Sequence, residues 1–289
     1  MQDIIEQAVR EIGRVLLGKD RQIRLALCAL FSRGHLLIED MPGMGKTTLS
    51  HALARVLGLE FARVQFTSDM LPGDILGVSV FDQRAQVFNF HPGPVFTEVL
   101  LADEINRSTP KTQSALLEAM AERQVTIEGE TRALPADFFV IATQNPVTQA
   151  GTFPLPESQL DRFLMRIEIG YPDRAAERTM LAGGAGTPPI EALKAALSRE
   201  QLRRIQGESQ QVGTADMLLD YVQRLIEYTR SAPEFAHGLS PRGALDAVGG
   251  GEEFEVLDDL HVVVHAEEVG HVADDAANFF GLGVDRIAA

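Results

Sequence analysis

The stretch EDMPGMGKTT, residues 39–48, constrains the fold more than any other part of the sequence. It follows a short apolar run, HLLIE, and opens a helical pattern, KTTLSHALARVLG, which is expected to end at Gly58. Gly43 and Gly45 tolerate positive φ, so backbone N–H groups between them can wrap around a phosphate at the positive end of a helix. A strand, a glycine loop and a helix in this order are typical of a phosphate-binding unit in a parallel α/β sheet.

The loop departs from the pattern G-x-x-x-x-G-K-[ST] at one position, because Asp40 stands where the first glycine is expected. Asp40 lies at the end of the strand, where its side chain can point away from the phosphates. Lys46 is expected to neutralise the β- and γ-phosphates, and the Thr47 hydroxyl to bind Mg²⁺. A tight strand-to-helix turn without a ligand is the alternative. The candidate nucleotide-binding residues of the loop are Pro42, Gly43, Met44, Gly45, Lys46, Thr47 and Thr48.

Two further strand ends carry polar residues that suit phosphate hydrolysis. The apolar run VLLAD ends at Asp103 and is followed by Glu104, as in a Walker B motif. Asp103 is expected to hold Mg²⁺ through its water shell, and Glu104 to polarise the attacking water. Asn145 in ATQNP follows another apolar run, and its amide could orient that water. Taken alone, each of these residues is equally typical of a solvated turn.

The remaining pattern predicts an α/β core followed by a smaller helical domain. Apolar runs alternate with amphipathic helical patterns over the first 172 residues, which favours a parallel sheet. The five strand candidates are HLLIE, FARVQF, VLLAD, DFFVIAT and MRIEIG. RQVTIEGETRALP alternates with period two around Glu128 and Gly129, so it predicts a β-hairpin. After residue 172 the sequence predicts helices, including a capping box of Ser198 and Gln201. We therefore place domains at 1–172 and 173–289.

Charge and composition exclude several classes of protein. The net charge of −15 opposes general nucleic-acid binding, and no basic patch with interleaved aromatic residues is present in the sequence. A single cysteine, Cys28, rules out an intrachain disulfide framework and fits a reducing compartment. The N-terminal residues lack the apolar core of a signal peptide, and no apolar run is long enough to span a bilayer. The sequence predicts a soluble, cytoplasmic protein without membrane insertion.

These motifs together resemble the MoxR family of AAA+ ATPases. The resemblance runs continuously over roughly residues 10–172 and is carried by LIEDMPGMGKTTL, QFTSDMLPGDILG, GPVF, LLADEINRSTPKTQSALLEAMAERQVTIEG, ATQNP and LPESQLDRFLMRIEIGYP. It implies an AAA+ P-loop core with a helical lid, ATP and Mg²⁺ as ligands, and a homo-oligomeric ring, usually a hexamer. An Asp before the loop core occurs in such proteins, so ATP binding is expected despite Asp40.

The resemblance also implies roles for residues that composition and spacing do not assign. Arg162 matches the arginine finger, which reaches the γ-phosphate of the neighbouring subunit; an ion pair within the subunit is the alternative. Residues 78–91 match the helix-2 insert, and the RQVTIEGETRALP segment matches the pre-sensor-1 hairpin. Arg107 in EINR resembles an interface residue of the family; a solvated arginine at the start of a helix is the alternative. Arg242 in LSPRGAL matches the sensor-2 arginine of the lid.

The C-terminal region departs from the family. After Arg242 the lid is atypically short, and the three glycines at 249–251 disfavour a long helix, which weakens the sensor-2 assignment. The acidic tail contains His261, His265 and His271, which are more typical of a solvated helix face than of a metal site.

Three functions remain open at this point. The first is a ring-forming chaperone that remodels client proteins, for which the resemblance implies von Willebrand factor A-domain partners. The others are the motor subunit of a metal chelatase and a nucleotide-switched scaffold with little turnover. A scaffold would bind ATP without releasing phosphate, whereas a motor would release it and slow when Glu104 is replaced by Gln.

Overall fold

A parallel five-stranded sheet forms the centre of the first 206 residues. The computed structural model describes residues 2–145, 151–182, 188–211, 216–233 and 238–244. The strands are β1 (Leu36–Glu39), β2 (Phe61–Gln65), β3 (Gly77–Asp82), β4 (Val87–Pro92), β5 (Val99–Asp103), β6 (Gln124–Ile127), β7 (Glu130–Ala133), β8 (Phe139–Gln144) and β9 (Met165–Ile167). The central sheet has the order β2-β5-β8-β1-β9, and every neighbouring pair is parallel. All five strands predicted from the sequence are the strands of this sheet.

The burial of these strands explains why they could be predicted from the sequence. β5 and β8 are buried along their whole length, and β1 is buried except at Glu39. Strands covered on both faces require continuous apolar residues. β2 lies at the edge of the sheet and leaves Arg63 and Gln65 exposed. Because the strands are parallel, the carboxyl ends of β1, β2, β5 and β8 meet at one edge, where ligands bind in folds of this type.

The described residues form helices, of which those before residue 207 flank the sheet. The helices are α1 (Gln2–Gly13), α2 (Asp20–Phe31), α3 (Lys46–Val56), α4 (Pro72–Leu76), α5 (Pro110–Glu122), α6 (Glu157–Leu160), α7 (Arg174–Leu181), α8 (Arg199–Ser209) and α9 (Asp216–Ser231), with single 3₁₀ turns at Ile105–Arg107 and Ile190–Ala192. The capping box before α8 is confirmed: the Ser198 N–H donates to Gln201 Oε1, and the Gln201 N–H donates to Ser198 Oγ. None of the described helices is long and apolar enough to cross a membrane.

Two antiparallel hairpins lie outside the central sheet. β3 pairs with β4, and β6 pairs with β7 through a turn in which Glu128 and Gly129 both have positive φ, which confirms the predicted hairpin. The Arg132 guanidinium of β7 lies 4.0 Å from the centroid of the Phe90 ring of β4, so the hairpins contact each other. Several large apolar side chains of the β3–β4 hairpin are exposed, namely Val78, Val80, Phe81, Val87 and Phe88.

The chain divides into two compact units, Met1–Gln206 and Gly207–Ala289. The first contains the sheet, both hairpins and nearly all of α8. In the second, the described residues form the end of α8, helix α9 and a short helical run at 241–244. The boundary between core and lid that we place at residue 172 stays a prediction. The glycines at 249–251 and the histidines of the acidic tail lie outside the described residues.

Candidate active site

The glycine loop joins β1 to α3 as the sequence predicts. Gly43 and Gly45 have φ of 88° and 91°, and Gly45 is the residue that precedes the first turn of α3. Pro42 and Gly43 are exposed, whereas Met44, Gly45, Thr47 and Thr48 are partly buried. The positive φ values turn the chain so that it enters α3 directly, which places the loop at the positive end of the helix.

Lys46 is the buried cation of the site. Its side chain is only 7% exposed, and its Nζ donates to the Asp40 carbonyl at 2.6 Å and to Asn145 Oδ1 at 3.1 Å. Burial lowers the pKa of Lys46 below its ordinary value, and the carboxylates of Asp103, Asp40, Glu104 and Glu39 act in the opposite direction. The charge of Lys46 is therefore incompletely compensated, which suits a residue that receives an anionic ligand.

Asp40 points away from the glycine loop. Its Oδ1 accepts from the Met41 N–H at 2.7 Å, and its Oδ2 accepts from the Gly170 N–H at 2.6 Å, beyond the end of β9. The carboxylate thus ties the start of the loop to the neighbouring strand. Since the glycine turn is made by Gly43 and Gly45, a side chain at position 40 is compatible with the phosphate-binding geometry.

Asp103 and Glu104 are held at the end of β5 by Thr143 of β8. Thr143 Oγ1 donates to Asp103 Oδ1 at 2.6 Å and accepts from the Glu104 N–H at 2.8 Å. Glu104 itself has φ 56° and ψ 49°, a left-handed conformation that is uncommon for a non-glycine residue. Such a conformation is typical of positions where a side chain is re-aimed at a functional site. Here it turns the Glu104 carboxylate away from the direction of the strand.

Asn145 lies between the lysine and the glutamate. Its Nδ2 donates to Glu104 Oε1 at 3.0 Å, while its Oδ1 accepts from Lys46. The side chain is 3% exposed, and its backbone carbonyl accepts from Asn106 Nδ2 at 3.1 Å. The structure therefore brings together the ends of the three motifs that the sequence singled out, namely the glycine loop, the carboxylate pair and the polar end of β8.

Three residues that the sequence analysis missed also bind the carboxylates. Gln65 Nε2 donates to Glu104 Oε2 at 2.8 Å, and Arg63 donates to Asp103 Oδ2 through Nη2 at 2.6 Å and Nε at 3.1 Å. Thr143 is the third. Arg107, which the resemblance placed at an interface, forms an ion pair with Glu104 Oε2 at 2.8 Å. The polar alternation in FARVQF was the available signal, because a core strand should not place arginine and glutamine on one face.

A buried glutamine supports the turn below the carboxylates. Gln113 of α5 is fully buried, and its Nε2 lies within hydrogen-bond distance of the carbonyls of Ile105, Ser108 and Phe153. The Phe153 N–H in turn donates to the Asn106 carbonyl at 2.6 Å. These contacts join α5, the 3₁₀ turn after Glu104 and the segment that leads to α6.

The contacts described above involve neither of the two predicted arginines. Arg162, just after α6, donates from Nη1 to the Leu117 carbonyl of α5 at 2.6 Å. Arg242 belongs to the second compact unit, where it is exposed in the helical run at 241–244. Ser240 Oγ accepts from the Gly243 N–H at the start of that run. The assignments of Arg162 as a finger and Arg242 as a sensor stay predictions.

The residues present fit a nucleotide with a magnesium ion. Apart from its chain neighbours, no atom of the described residues lies within 4 Å of a Cβ added at Gly43, so among these residues the loop borders open space. A hydroxyl from Thr47 and a carboxylate from Asp103 are the oxygen ligands that Mg²⁺ prefers. Lys46 and the N-terminus of α3 supply positive charge for phosphates.

The fold and this site define a P-loop ATPase: a glycine loop and lysine at a helix N-terminus, with a carboxylate pair on a neighbouring parallel strand. The family model described as "ATPase family associated with various cellular activities (AAA)" matches residues 35–165. The chain belongs to the MoxR family of AAA+ ATPases, as the following relatives show.

Two curated proteins and one solved structure are similar over most of the chain. Chaperone MoxR1 of Mycobacterium tuberculosis is 37% identical, with 98% of this chain and 77% of the relative covered. YeaC of Bacillus subtilis, an uncharacterized protein, is 44% identical, with 88% and 79% covered. A crystal structure of a proposed ATPase from Cytophaga hutchinsonii is 35% identical, with a TM-score of 0.77 over 88% of this chain and 80% of that one.

Proposed function

We propose that this protein hydrolyses ATP in a ring of its own copies and uses the cycle to remodel a client protein. One observation carries the proposal. The amide of Asn145 joins Lys46 to Glu104, at 3.1 Å and 3.0 Å, beside a glycine loop with open space next to it. A buried lysine, a carboxylate and a bridging amide are the groups that γ-phosphate transfer to water requires.

In this proposal Thr47 and Asp103 hold Mg²⁺, Asp103 through water. When bound, the ion supplies charge neutralisation for the β- and γ-phosphates. Lys46 leaves the Asp40 carbonyl to contact the phosphates, and the exposed Pro42 and Gly43 leave room for them. The loop N–H groups from Gly43 to Thr48 orient the phosphates at the N-terminus of α3.

Glu104 acts as the base that polarises the attacking water. Both of its oxygens are engaged: Oε1 accepts from Asn145, and Oε2 accepts from Gln65 and Arg107. Oε2 already accepts two hydrogen bonds, which leaves this oxygen no lone pair for the attacking water. Release of Oε2 from Arg107 and Gln65 therefore precedes catalysis. Asn145 remains as the donor that orients Glu104 and the water.

Arg162 is the proposed finger for the neighbouring copy. Within the described part of the chain the side chain of Arg162 donates to a backbone carbonyl, that of Leu117, so it can exchange that bond for a phosphate oxygen without leaving a carboxylate there unpaired. The ring, a hexamer by resemblance, is what brings the arginine to a second site. Arg242 is proposed to close over the phosphates of its own subunit.

Client remodelling is the proposed use of the cycle. One relative is named a chaperone. The exposed apolar side chains of the β3–β4 hairpin, with Phe88 67% exposed, offer a surface for another protein. A von Willebrand factor A-domain protein is the client class that the resemblance implies.

Subunit mixing tests the shared site directly. Arg162→Ala keeps its own Glu104 but supplies no finger, whereas Glu104→Gln supplies a finger but has no base. Each variant alone is expected to release phosphate from ATP at least about a hundredfold more slowly than the wild type, because one group of the transfer is missing. Mixed in equal amounts, they should regain a substantial fraction of the wild-type rate, since sites with Glu104 from one copy and Arg162 from the other form again.

Arg21→Ala, which removes an exposed arginine of α2, is the matched control and should retain the wild-type rate. The specific activity of the wild type should also rise with protein concentration if the ring is required. A mixture as slow as its components would reject the role of Arg162 in a neighbouring site. ATP binding without phosphate release at any concentration would favour a nucleotide-switched scaffold.

A further inference from the structure

The two oxygens of Asp103 have different partners. Oδ1 accepts from Thr143 Oγ1 inside the sheet, and the same hydroxyl fixes the Glu104 N–H. Oδ2 accepts two hydrogen bonds from the Arg63 guanidinium, at 2.6 Å and 3.1 Å. Oδ1 is thus held by a buried contact within the sheet. Oδ2 is bound by a side chain that another cation could replace.

The exposure of Arg63 allows its guanidinium to separate from Asp103. The Asp103 side chain is 10% exposed, whereas that of Arg63 is 47% exposed on the edge strand β2. Moving a guanidinium from such a position into water breaks a partly solvated ion pair and leaves no buried cation behind. Oδ2 would then be free for the water shell of a cation.

Arg63 is also connected to the glutamate through its neighbour on β2. Its Nη2 donates to Gln65 Oε1 at 3.1 Å, and Gln65 Nε2 donates to Glu104 Oε2 at 2.8 Å. The two side chains lie on one face of the strand, two residues apart, so they contact both carboxylates side by side. Movement of Arg63 removes one of the bonds that hold Gln65 against Glu104.

We propose that Arg63 is a positioning residue that serves as the internal counter-ion of Asp103 when no metal is bound, and that it exchanges with hydrated Mg²⁺. Asp103 is then neutralised in both states. Nucleotide binding then depends less on the metal than it would if Asp103 had no counter-ion. Binding of the metal also loosens Gln65 from Glu104. This inference rests on the proposed binding of ATP with Mg²⁺.

The test compares nucleotide affinity with and without metal. The dissociation constant of a fluorescent non-hydrolysable ATP analogue is measured in EDTA and in saturating Mg²⁺. The readout is the constant in EDTA divided by the constant in Mg²⁺. In Arg63→Gln, Asp103 repels the phosphates when metal is absent and accepts the metal without displacing a guanidinium. The ratio is therefore expected to rise about threefold to fivefold, the range of a partly exposed ion pair.

Three variants make the result specific. In an Asp103→Asn background, Arg63→Gln should leave the ratio unchanged, because no carboxylate remains to be released. Arg63→Lys retains the charge but not the paired guanidinium contacts, so its ratio should lie between those of the wild type and Arg63→Gln. Arg166→Gln removes the partner of Glu39, a carboxylate at the same sheet edge that is not a proposed magnesium ligand, and its effect on the ratio should be smaller than that of Arg63→Gln.

A phosphate-binding role for Arg63 would weaken the analogue equally in both conditions and leave the ratio unchanged, which overturns the inference. General damage to the site would lower the ratio, with the same consequence. Failure of the wild type to bind the analogue in either condition would contradict the proposed function itself, and the inference falls with it. The three failures are thus distinguishable from one another.

Discussion

Asn145 Oδ1 accepts a hydrogen bond from Lys46 Nζ at 3.1 Å, so the end of β8 and the start of α3 share one buried polar contact. The same amide donates to Glu104, and its orientation is therefore fixed from both sides. A side-chain amide has one acceptor and one donor end, which allows it to join a cation to a carboxylate. Neither an alanine nor an aspartate at position 145 can make both contacts.

Replacing Glu104 by Gln should separate binding from hydrolysis. The substitution keeps the size of the side chain and removes the base, so the rate of phosphate release should fall roughly 10²- to 10³-fold. The dissociation constant of ATP should change less than about threefold, because the loop and Lys46 are intact. Measurement of both quantities on one preparation is sufficient. Glu118→Gln, at an exposed position of α5, is the control and should keep both values. If ATP affinity fell together with the rate, Glu104 would be needed for the structure of the nucleotide site and not only for hydrolysis.

Replacing Lys46 by Met should abolish nucleotide binding without loss of stability. The pKa of Lys46 is lowered in the folded protein by burial, so its charge is less favourable there than in the unfolded chain. This penalty applies at pH values below the folded pKa, where the lysine is charged in both states. It fades as the pH rises from the folded pKa toward the ordinary value of 10.5.

The expected result is a melting temperature for nucleotide-free Lys46→Met equal to or above that of the wild type near pH 7, with a smaller difference at higher pH. Thermal unfolding followed by circular dichroism measures it. Lys111→Met, at an exposed position of α5, should show no such trend with pH. A clear loss of stability in Lys46→Met would mean that the bonds to Asp40 and Asn145 outweigh the cost of burial.

Replacing Asp40 by Gly should restore the common loop pattern and destabilise the folded protein. The carboxylate accepts two backbone hydrogen bonds, from Met41 and Gly170, and glycine adds freedom to the unfolded chain. The free energy of unfolding should fall by about 1–3 kcal/mol. Urea denaturation measures this loss. ATP affinity should not improve, because Gly43 and Gly45 already make the turn. Asp40→Asn keeps one acceptor oxygen and should lose less. Tighter binding by Asp40→Gly would show that the Asp40 carboxylate opposes the phosphates.

The sheet could be predicted because strands that are buried on both faces have continuous runs of apolar residues. VLLAD and DFFVIAT carry continuous apolar residues between their polar ends because β5 and β8 are buried along their length. The loop and the carboxylate pair were equally readable, because their spacing relative to these strands is local. The position of Asp40, at the strand end and facing away from the loop glycines, was inferred on the same local grounds.

The contacts across β2 could not be predicted in the same way. Arg63 lies opposite Leu101, and Gln65 lies opposite Asp103, in the parallel pairing of β2 with β5. Register between strands that are far apart in sequence depends on the packing of the whole sheet, and a shift of one residue would turn Arg63 to the other face. The same holds for the contact of Gln113 with the Phe153 carbonyl, which lies in a distant segment that only the fold brings close.

Replacing Gln113 by Leu tests this buried support for the active site. The leucine fills a similar volume but removes the donor of the Ser108 and Phe153 carbonyls, whereas the Ile105 carbonyl keeps its hydrogen bonds from Ser108. The free energy of unfolding should fall by about 1–3 kcal/mol. Because Ile105 follows Glu104 directly, phosphate release should also slow, by roughly tenfold, while ATP affinity stays near that of the wild type. Gln124→Leu, at an exposed position of β6, is the matched control for both measurements. If Gln113→Leu lost stability but kept its rate, the 3₁₀ turn would hold Glu104 without help from α5.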